Sequence, residues 1–523
     1  MTSTMTATMA ALPCSSVSNR PCLPRTHRRG GRAASSAAAI LALLFATSAW
    51  LSIVFSSPSH RLHWPHIRSS ASTFSPSSPL PAPSSRNRDE GNDEEGDLAP
   101  LSLRHLVFGI GGSANLWPRR REFVRLWWRP RAMRGHVWLD DSAPRLPPNS
   151  SFSRSLPPVL VSEDISRFRY TNPTGHPSGL RIARILVESF RLGHHGARWF
   201  VLVDDDTILC TDNLVTVLSK YDWTEMVYVG GPSESHSANT YFSHAMAFGG
   251  GGIAISYPLA EALSRMLDDC IERYPRLYGS DDRLHACISE LGVPLSREYG
   301  FHQWDIRGNA LGLLAAHPLS PFISIHHVEA VDPLYPGLSS LGSLKLFTKA
   351  MKAYSMSFLQ RSICYDRGEK LTFAVSLGYV VQVFPTIVPP RELERSERTY
   401  VAWNRNSNRM DFDFDTRDPY RSVCKKPIMF FLNNIGKNEN TTLGSYRRAK
   451  GRDYLKRKVF CFPLSPPLPD VTEILVVSTP LNNKWQLVPR RLCSKLGQEH
   501  NGTLSVVVGQ CERGAYGSAA NSL

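Results

Sequence analysis

The first 88 of the 523 residues contain no aspartate or glutamate, although the whole chain carries 45 acidic residues. Five arginines between positions 20 and 32 precede an uncharged, largely apolar stretch over residues 33–55. A helix of about 20 apolar residues spans a bilayer, and flanking basic residues stay on the cytoplasmic side. We therefore predict a cytoplasmic tail over 1–32 and a single-pass type II transmembrane anchor over 33–55, with the rest of the chain lumenal.

Two other targeting segments fit the same start. The stretch is rich in Ala and Ser and could be a cleaved signal peptide, while an acid-poor, Ser- and Arg-rich start is also typical of an organelle transit peptide. Three N-glycosylation sequons, at Asn149, Asn440 and Asn501, favour entry into the secretory pathway.

The sequence also lacks any C-x-x-C spacing, and no run of consecutive basic residues is longer than three, the length reached at Arg119–Arg121. The first absence argues against a zinc site. Because the basic residues are dispersed, the net charge of +15 indicates a solvated surface with some attraction for nucleotides, and we predict no nucleic-acid partner. Eight of the ten cysteines follow the apolar stretch, an even number that allows disulfides.

Composition divides the remainder into three parts. Residues 56–100 are rich in Ser, Pro and acidic residues and predict a flexible stem. Residues 101–335 alternate strand-like apolar runs with amphipathic patterns such as 179–192, which predicts an α/β layered domain with a mainly parallel central sheet. Residues 336–523 alternate short β-like runs with polar turns and predict a β-rich accessory region.

Three consecutive carboxylates, Asp204, Asp205 and Asp206, follow the apolar run F-V-L-V, which is typical of a buried strand. Adjacent acids repel one another unless a cation or hydrogen bonds compensate, and Mg²⁺ and Mn²⁺ prefer carboxylate oxygens. Because alternate residues of a strand share a face, Asp204 and Asp206 can approach one ion together. The alternative is a surface loop whose acids are solvated or cap the next turn.

Two further segments supply candidate site residues. The run of four glycines that includes Gly250 and Gly251 is costly in entropy, so its backbone should approach a sugar or phosphate closely, unless it forms only a tight turn. The pair Asp281 and Asp282 precedes a predicted helix. One of these acids could be a general base, whereas Asp281 could instead cap the helix.

Paired histidines and a glycine-containing loop are the remaining segments that supply candidate site residues. His326 and His327 offer imidazoles that suit Mn²⁺-type ions, although a lone histidine is more often structural. The loop 108–114 formally matches G-x-G-x-x-A, but Asp140 follows it by about 30 residues, where a dinucleotide site needs an acid about 20 residues on. We interpret the loop, together with Asp140, as a nucleotide contact at a strand end and not as an NAD site.

In their order along the chain, these motifs resemble those of the Fringe-like β-1,3-glycosyltransferases, most closely the plant Fringe-related group. R-R-E-F-V-R-L-W-W, from Arg120, is similar to the family's R-R-x-x-I-R-x-T-W, with Trp127 in place of Thr. V-D-D-D-T resembles the family's D-x-D metal motif, and A-F-G-G-G-G-I-A-I resembles its G-G-A-G stretch. S-D-D resembles the family's catalytic acidic pair, and I-H-H-V-E resembles its late F-H segment. F-H-Q-W-D-I-R-G-N-A-L-G-L-L-A-A-H-P, residues 301–318, resembles a signature of the plant group.

The resemblance covers the chain from about residue 101 and implies a GT-A fold, a UDP-sugar donor and Mn²⁺ (or Mg²⁺). It implies Asp206 as the principal metal ligand, helped by Asp204 or Asp205. It implies His326 as the second protein ligand, and His327 is the alternative because the local alignment with the family can shift by one residue.

It also implies Asp282 as the base, with Asp281 as the alternative, and places Arg120 with the donor-binding residues. The expected protein is thus a type II enzyme of the Golgi membrane that inverts the anomeric carbon as it moves a hexose or hexosamine to a glycan or glycoprotein hydroxyl. A catalytically inactive glycan-binding or scaffold protein of the secretory pathway is the alternative class, and a plastid enzyme follows if the start is a transit peptide.

Overall fold

The computed structural model describes residues 99–142, 150–404, 411–461, 468–479, 481 and 492–511. The predicted tail and anchor, nearly all of the predicted stem and the sequon at Asn149 lie outside these residues. Over the ranges that are described, no helix is both long and apolar enough to cross a bilayer.

A seven-stranded sheet, in the order β3-β2-β1-β4-β7-β6-β8, carries the acidic triplet. Its strands are β1 (Leu106–Gly111), β2 (Arg134–Leu139), β3 (Val159–Val161), β4 (Trp199–Asp204), β6 (Tyr228–Gly230), β7 (Ile253–Ser256) and β8 (Leu295–Arg297). Neighbouring strands are parallel except at β7, which is antiparallel to both β4 and β6. The sheet is therefore mixed, and it confirms the predicted α/β class with mainly parallel pairing. β1 and β4 are buried along nearly their whole length, which explains their continuous apolar sequences.

Helices in this part of the chain pack on the sheet and on one another. They are α1 (Trp117–Trp127), α2 (Ser178–Arg191), α3 (Thr211–Leu218), α4 (His236–Tyr241), α5 (Tyr257–Arg273), α6 (Ser280–Glu290) and α7 (Leu311–Ala315). Pro258 lies in the first turn of α5, where its fixed φ and missing N–H suit a helix start. The apolar face of α2 packs against α5 and α6, and the disulfide Cys270–Cys287 joins α5 to α6.

The C-terminal part contains an eight-stranded sheet in the order β11-β12-β13-β17-β18-β19-β21-β20. Its strands are β11 (Arg361–Asp366), β12 (Leu371–Ser376), β13 (Val380–Phe384), β17 (Ile428–Lys437), β18 (Thr442–Arg448), β19 (Glu473–Ser478), β20 (Cys493–His500) and β21 (Thr503–Gly509). The helices here are α8 (Ser340–Tyr354), α9 (Pro390–Glu394) and α10 (Arg452–Phe460). All neighbours are antiparallel except β19 and β21. The sheet agrees with the β-rich texture expected there.

A continuous apolar core connects the two sheets. Phe347 of α8 packs edge-on against Phe322 at 5.6 Å and against Phe358 at 4.9 Å between ring centroids. The same cluster of buried residues includes side chains of β1 and of β12. The domain boundary placed between residues 335 and 336 stays a prediction.

Three two-stranded pairings bring distant segments together. They are β5 (Ile208–Leu209) with β10 (Ser324–Ile325), β9 (Ile306–Gly308) with β15 (Tyr400–Ala402), and β14 (Ser396–Glu397) with β16 (Thr416–Arg417). The first joins the residues just after the acidic triplet to the segment just before the paired histidines. The second places Tyr400–Ala402 of the C-terminal region beside β9.

Candidate active site

The acidic triplet lies where β4 ends beside β1. Parallel register sets Asp204, the last residue of β4, opposite Gly111, the last residue of β1. The backbone N–H of Asp205 donates to the carbonyl of Gly111 at 2.9 Å. Asp205 and Asp206 are buried, whereas the Asp204 side chain is 36% exposed. The acids therefore occupy the carboxyl edge of the sheet, where α/β proteins bind ligands.

His326 reaches the triplet because β10 pairs with β5. Ile325, the residue before His326, lies opposite Ile208, which follows Asp206 by two positions. Nε2 of the buried His326 lies 3.0 Å from Oδ1 of Asp206 and 3.4 Å from Oδ2 of Asp204. One ligand atom from each of these three side chains lies within 4.8 Å of the other two.

These three side chains fit a divalent cation. Oδ1 of Asp206 is buried, and its close contact is with Nε2 of His326, the other ligand atom proposed beside it. Two ligands at right angles on an ion with bonds of about 2.1 Å lie about 3 Å apart, which is the spacing seen here. Two carboxylates and an imidazole are also a donor set that suits Mn²⁺.

The charges in the cluster stabilise one another. Burial alone would lower the pKa of His326, but Asp206 and Asp204 raise it to about 9. In turn, His326 and Arg120 hold the pKa of Asp206 well below its ordinary value despite its burial. Without a metal, the site therefore holds an imidazolium beside an ionised carboxylate at neutral pH. A bound cation would take the place of that ring proton.

Arg120 joins the triplet to the segment after the histidines. Its guanidinium contacts Oδ1 of Asp205 and Oδ2 of Asp206, both at 2.9 Å, and Oε2 of Glu329 at 3.0 Å. These carboxylates raise the pKa of Arg120 against the effect of burial. The predicted donor-binding arginine thus compensates part of the negative charge of the site.

Asp205 faces a different neighbour from its two companions. Its Oδ2 has no partner among the described residues and lies so close to Gly112 that an added Cβ there would come within 2.8 Å of it. Burial raises the pKa of Asp205 to about 7, although Arg120 works in the opposite direction. The side chain of Asp205 is therefore directed at the turn after β1 and not at His326.

The glycine run packs against the site itself. A Cβ on Gly250 would overlap the ring of His326, and a Cβ on Gly249 would come within 2.6 Å of Oδ1 of Asp281. Gly251 donates its N–H to the side chain of Gln303 at 2.9 Å, and Gly252 has φ +109°. The predicted close approach is present within the protein, to His326, the 302–303 backbone and Asp281, and an approach to a sugar or phosphate stays a prediction.

The structure separates the roles of Asp281 and Asp282. Asp282 accepts hydrogen bonds from the backbone N–H groups of Tyr278, Gly279 and Arg283, at 2.6, 2.9 and 2.9 Å. It therefore closes the turn before α6 and caps that helix. The helix-capping role that the sequence suggested for Asp281 is therefore filled by Asp282. Asp282 was also expected to be the principal base, but its carboxylate already accepts three backbone hydrogen bonds.

Asp281 faces a cleft that also contains Asp204. The cleft lies between α2, β4 and the start of α6, and its lining includes Gly111, Asp204, Gly249, Ser280 and Asp281. Burial raises the pKa of Asp281 to about 7, and the charge of Asp204 adds to the effect. A carboxyl group with this pKa can exchange protons near neutral pH, as a general base must.

His327 does not join the cluster around Asp206. It has a left-handed backbone, at φ +53°, and its ring stacks on Trp403 with 4.1 Å between centroids and 8° between planes. The other neighbours of the ring are His326, at 3.8 Å between centroids, and Oδ1 of Asp305, 3.4 Å from Nδ1. The two histidines therefore have different neighbours: His326 contacts the carboxylates, whereas His327 packs against the ring of His326. Sequence reasoning missed Trp403 and Asp305, because no local motif indicates the β9–β15 pairing that positions Trp403.

Asp140 holds the turn after β1. Its carboxylate accepts from the backbone N–H of Ala114 at 2.7 Å and from Oγ of Ser113 at 3.1 Å. This turn precedes α1, which carries Arg120. Asp140 therefore orients the loop that was expected to contact a nucleotide, and its predicted donor contact stays a prediction.

Fold and site together define an α/β protein with a candidate divalent-cation site and a nearby buried carboxyl group at one sheet edge. Residues 238–494 match the family model described as "Protein of unknown function, DUF604". The chain is also similar to two curated glycosyltransferases. It is 33% identical over 119 residues to the β-1,3-glucosyltransferase of Mus musculus, covering 23% of each chain. It is 30% identical over 148 residues to the β-1,3-N-acetylglucosaminyltransferase lunatic fringe of Danio rerio, covering 23% of this chain and 36% of that one.

These matches support a likeness to Fringe-like β-1,3-glycosyltransferases, but the matched region spans well under half the length of either relative. Among solved structures, the chain is similar to the galactosyltransferase LgtC in complex with donor and acceptor sugar analogs. That likeness has a TM-score of 0.29 and 10% identity over 46% of this chain and 92% of that one. A TM-score of this size does not establish a shared fold.

Proposed function

We propose that this protein is a metal-dependent inverting glycosyltransferase of GT-A type that transfers a hexose or hexosamine from a UDP-sugar to a hydroxyl of a glycan or glycoprotein. The observation that carries the proposal is the convergence of Asp204, Asp206 and His326 on one point beside the cleft that contains Asp281. The similarity to a β-1,3-glucosyltransferase and to lunatic fringe supports the same reaction class.

The donor would bind at the carboxyl edge of the sheet. Asp206, Asp204 and His326 would hold Mn²⁺ (or Mg²⁺), which supplies positive charge against a diphosphate leaving group. His326 and Arg120, which contacts Asp206 at 2.9 Å, together hold the pKa of Asp206 low, so the carboxylate stays available for binding. Gly250 leaves room for the His326 ring, and the ring of His327 packs against it at 3.8 Å between centroids.

The acceptor would react in the cleft. Asp281 takes the proton of the acceptor hydroxyl while the hydroxyl oxygen bonds to the anomeric carbon and the bond from that carbon to the diphosphate oxygen breaks. Attack opposite the leaving group inverts the anomeric configuration. We prefer Asp281 to Asp282 as the base because Asp282 already accepts three backbone hydrogen bonds.

The disulfides support a place in the secretory pathway. Cys270–Cys287, Cys424–Cys461 and Cys493–Cys511 are paired, and disulfides persist in oxidising compartments. Asn440 and Asn501 are both exposed between paired strands, where glycosylation is sterically possible. We therefore retain the proposal of a lumenal Golgi enzyme anchored through residues 33–55, and glycosidase sensitivity at these two sequons would exclude a plastid location.

A donor screen tests the proposed reaction. Purified protein is incubated with a panel of UDP-sugars and Mn²⁺, and UDP release is measured with and without a chelator. We expect one or a few donors to be turned over only with metal, and Asp206→Ala to abolish that turnover while the protein stays folded. If the folded protein binds glycans but neither binds nor turns over any UDP-sugar, the inactive glycan-binding class is correct instead.

A further inference from the structure

A second cluster of metal-ligating side chains lies outside the proposed donor site. It contains His236, the first residue of α4, together with His244 and Asp413, all three solvent-exposed. Nδ1 of His236 lies 2.5 Å from Oδ1 of Asp413, and Nδ1 of His244 lies 3.4 Å from Oδ2 of the same carboxylate. Two imidazoles from one segment thus present the same ring nitrogen to one acid from the C-terminal region.

Neighbouring residues hold this carboxylate in place. The side-chain amide of Asn239 donates to Oδ2 of Asp413 at 2.6 Å, and the backbone N–H of Asp413 donates to the carbonyl of Glu234 at 3.1 Å. Asn239 is itself buried and also donates to the carbonyl of Ser233. Outer contacts of this kind orient the ligands of metal sites before the metal arrives.

We propose that His236, His244 and Asp413 form a surface binding site for a late first-row divalent cation, with Zn²⁺ as the favoured ion. Imidazole and carboxylate are ligands that Zn²⁺ accepts, and three protein ligands leave a fourth position for water. With bonds of 2.0–2.1 Å, tetrahedral ligands lie about 3.3 Å apart, close to the His244–Asp413 spacing. His236 needs only to exchange its hydrogen bond to Asp413 for a bond to the ion.

The bound cation would join two segments that already meet. Oδ1 of Asp411 accepts from the backbone N–H of Ser237 at 2.8 Å, and Oδ2 accepts from the hydroxyls of Ser235 and Ser237. A metal at Asp413 would strengthen this attachment of the C-terminal region to α4. The site shares no residue with the proposed donor site, so it is independent of the proposed function.

Zinc titration of the full-length protein tests the proposal. Because the donor site can also bind Zn²⁺, the titration is done in the Asp206→Asn variant, with Zn²⁺ alone as the probe and calorimetry as the readout. We expect one Zn²⁺ per chain, and we expect His244→Ala added to this variant to weaken that binding at least about 10-fold. Asp413→Asn should act in the same way.

His500→Ala is the matched control, since His500 is exposed at the end of β20 and lies outside the cluster. It should leave zinc binding unchanged, and thermal melts without metal should show that each variant is folded. Zinc binding that is absent in Asp206→Asn, or that is equally strong with and without His244 and Asp413, would show an ordinary His–Asp ion pair and overturn the proposal.

Discussion

Nε2 of His326 lies 3.0 Å from Oδ1 of Asp206, and this contact connects the acidic strand end to a segment far along the sequence. The contact depends on the pairing of β5 with β10, two strands of only two residues each. With Asp204 close by, the pair forms one side of a coordination sphere. Changes at this small pairing should therefore affect metal binding before they affect the fold.

Asp281 and Asp282 should respond differently to the same substitution. We expect Asp281→Asn to lower turnover about 10²- to 10⁴-fold while donor and metal still bind, because it removes the proposed base. Asp282→Asn should lower the free energy of unfolding by about 0.5–2 kcal/mol through loss of the cap and leave most turnover per folded molecule. Initial rates, donor affinity and denaturant unfolding separate the two effects. A larger loss of turnover in Asp282→Asn would instead restore Asp282 as the base.

Gly250→Ala should weaken metal binding without touching a ligand. The new methyl group would overlap the ring of His326, so either the ring or the glycine run must move. Overpacking of this kind costs about 1–3 kcal/mol of stability. Gly436→Ala is the control, because nothing lies within 4 Å of a Cβ there. Mn²⁺ affinity measured by calorimetry should fall only in Gly250→Ala, and equal affinity in the two variants would show that metal binding does not depend on the packing of Gly250 against His326.

Trp403 should act on the metal through His327. Its indole ring stacks on His327, whose left-handed backbone is a strained conformation that its neighbours must maintain. We expect Trp403→Leu to reduce Mn²⁺ affinity about 10-fold and Trp403→Phe to restore most of it, because Phe keeps a flat ring. If both variants bind Mn²⁺ as the unmodified protein does, the stack has no positioning role.

Glu188 should make stability depend on pH away from the active site. Burial raises its pKa to about 7 although Arg184 lies 3.3 Å away, whereas an unfolded glutamate titrates near 4.3. Between these values the folded state binds more protons, so the free energy of unfolding falls as pH rises from about 4.3 through 7. Glu188→Gln should reduce that slope by an amount seen in denaturant titrations at several pH values. An identical slope in the variant would show that Glu188 does not carry the effect.

The parts of the site that sequence reasoning predicted are those with a strong local signal. An apolar run ending in three acids indicated a strand end, and four glycines indicated close packing; both are present. The reversed direction of β7 was not predicted, because an apolar run does not encode the direction of its neighbours. The division between His326 and His327 depends on the β5–β10 register, which two residues per strand cannot reveal in a sequence.

The sequence also does not reveal which of Asp281 and Asp282 caps the helix. Both residues lie in the first turn of α6, and helix-capping preferences do not distinguish them. Only the position of the turn at Tyr278 and Gly279 decides which carboxylate receives the backbone N–H groups. Trp403 was missed for the same reason, since a long-range strand pairing brings it to His327.

Calorimetry of UDP binding with and without Mn²⁺ measures whether a metal holds the donor nucleotide at the acidic strand end. We expect UDP to bind the unmodified protein only when Mn²⁺ is present, and Asp206→Asn, shown to be folded by its thermal melt, to lose this binding. UDP binding that is equally strong without Mn²⁺, or that survives unchanged in Asp206→Asn, would contradict the assignment of Asp204, Asp206 and His326 as a metal site for the donor.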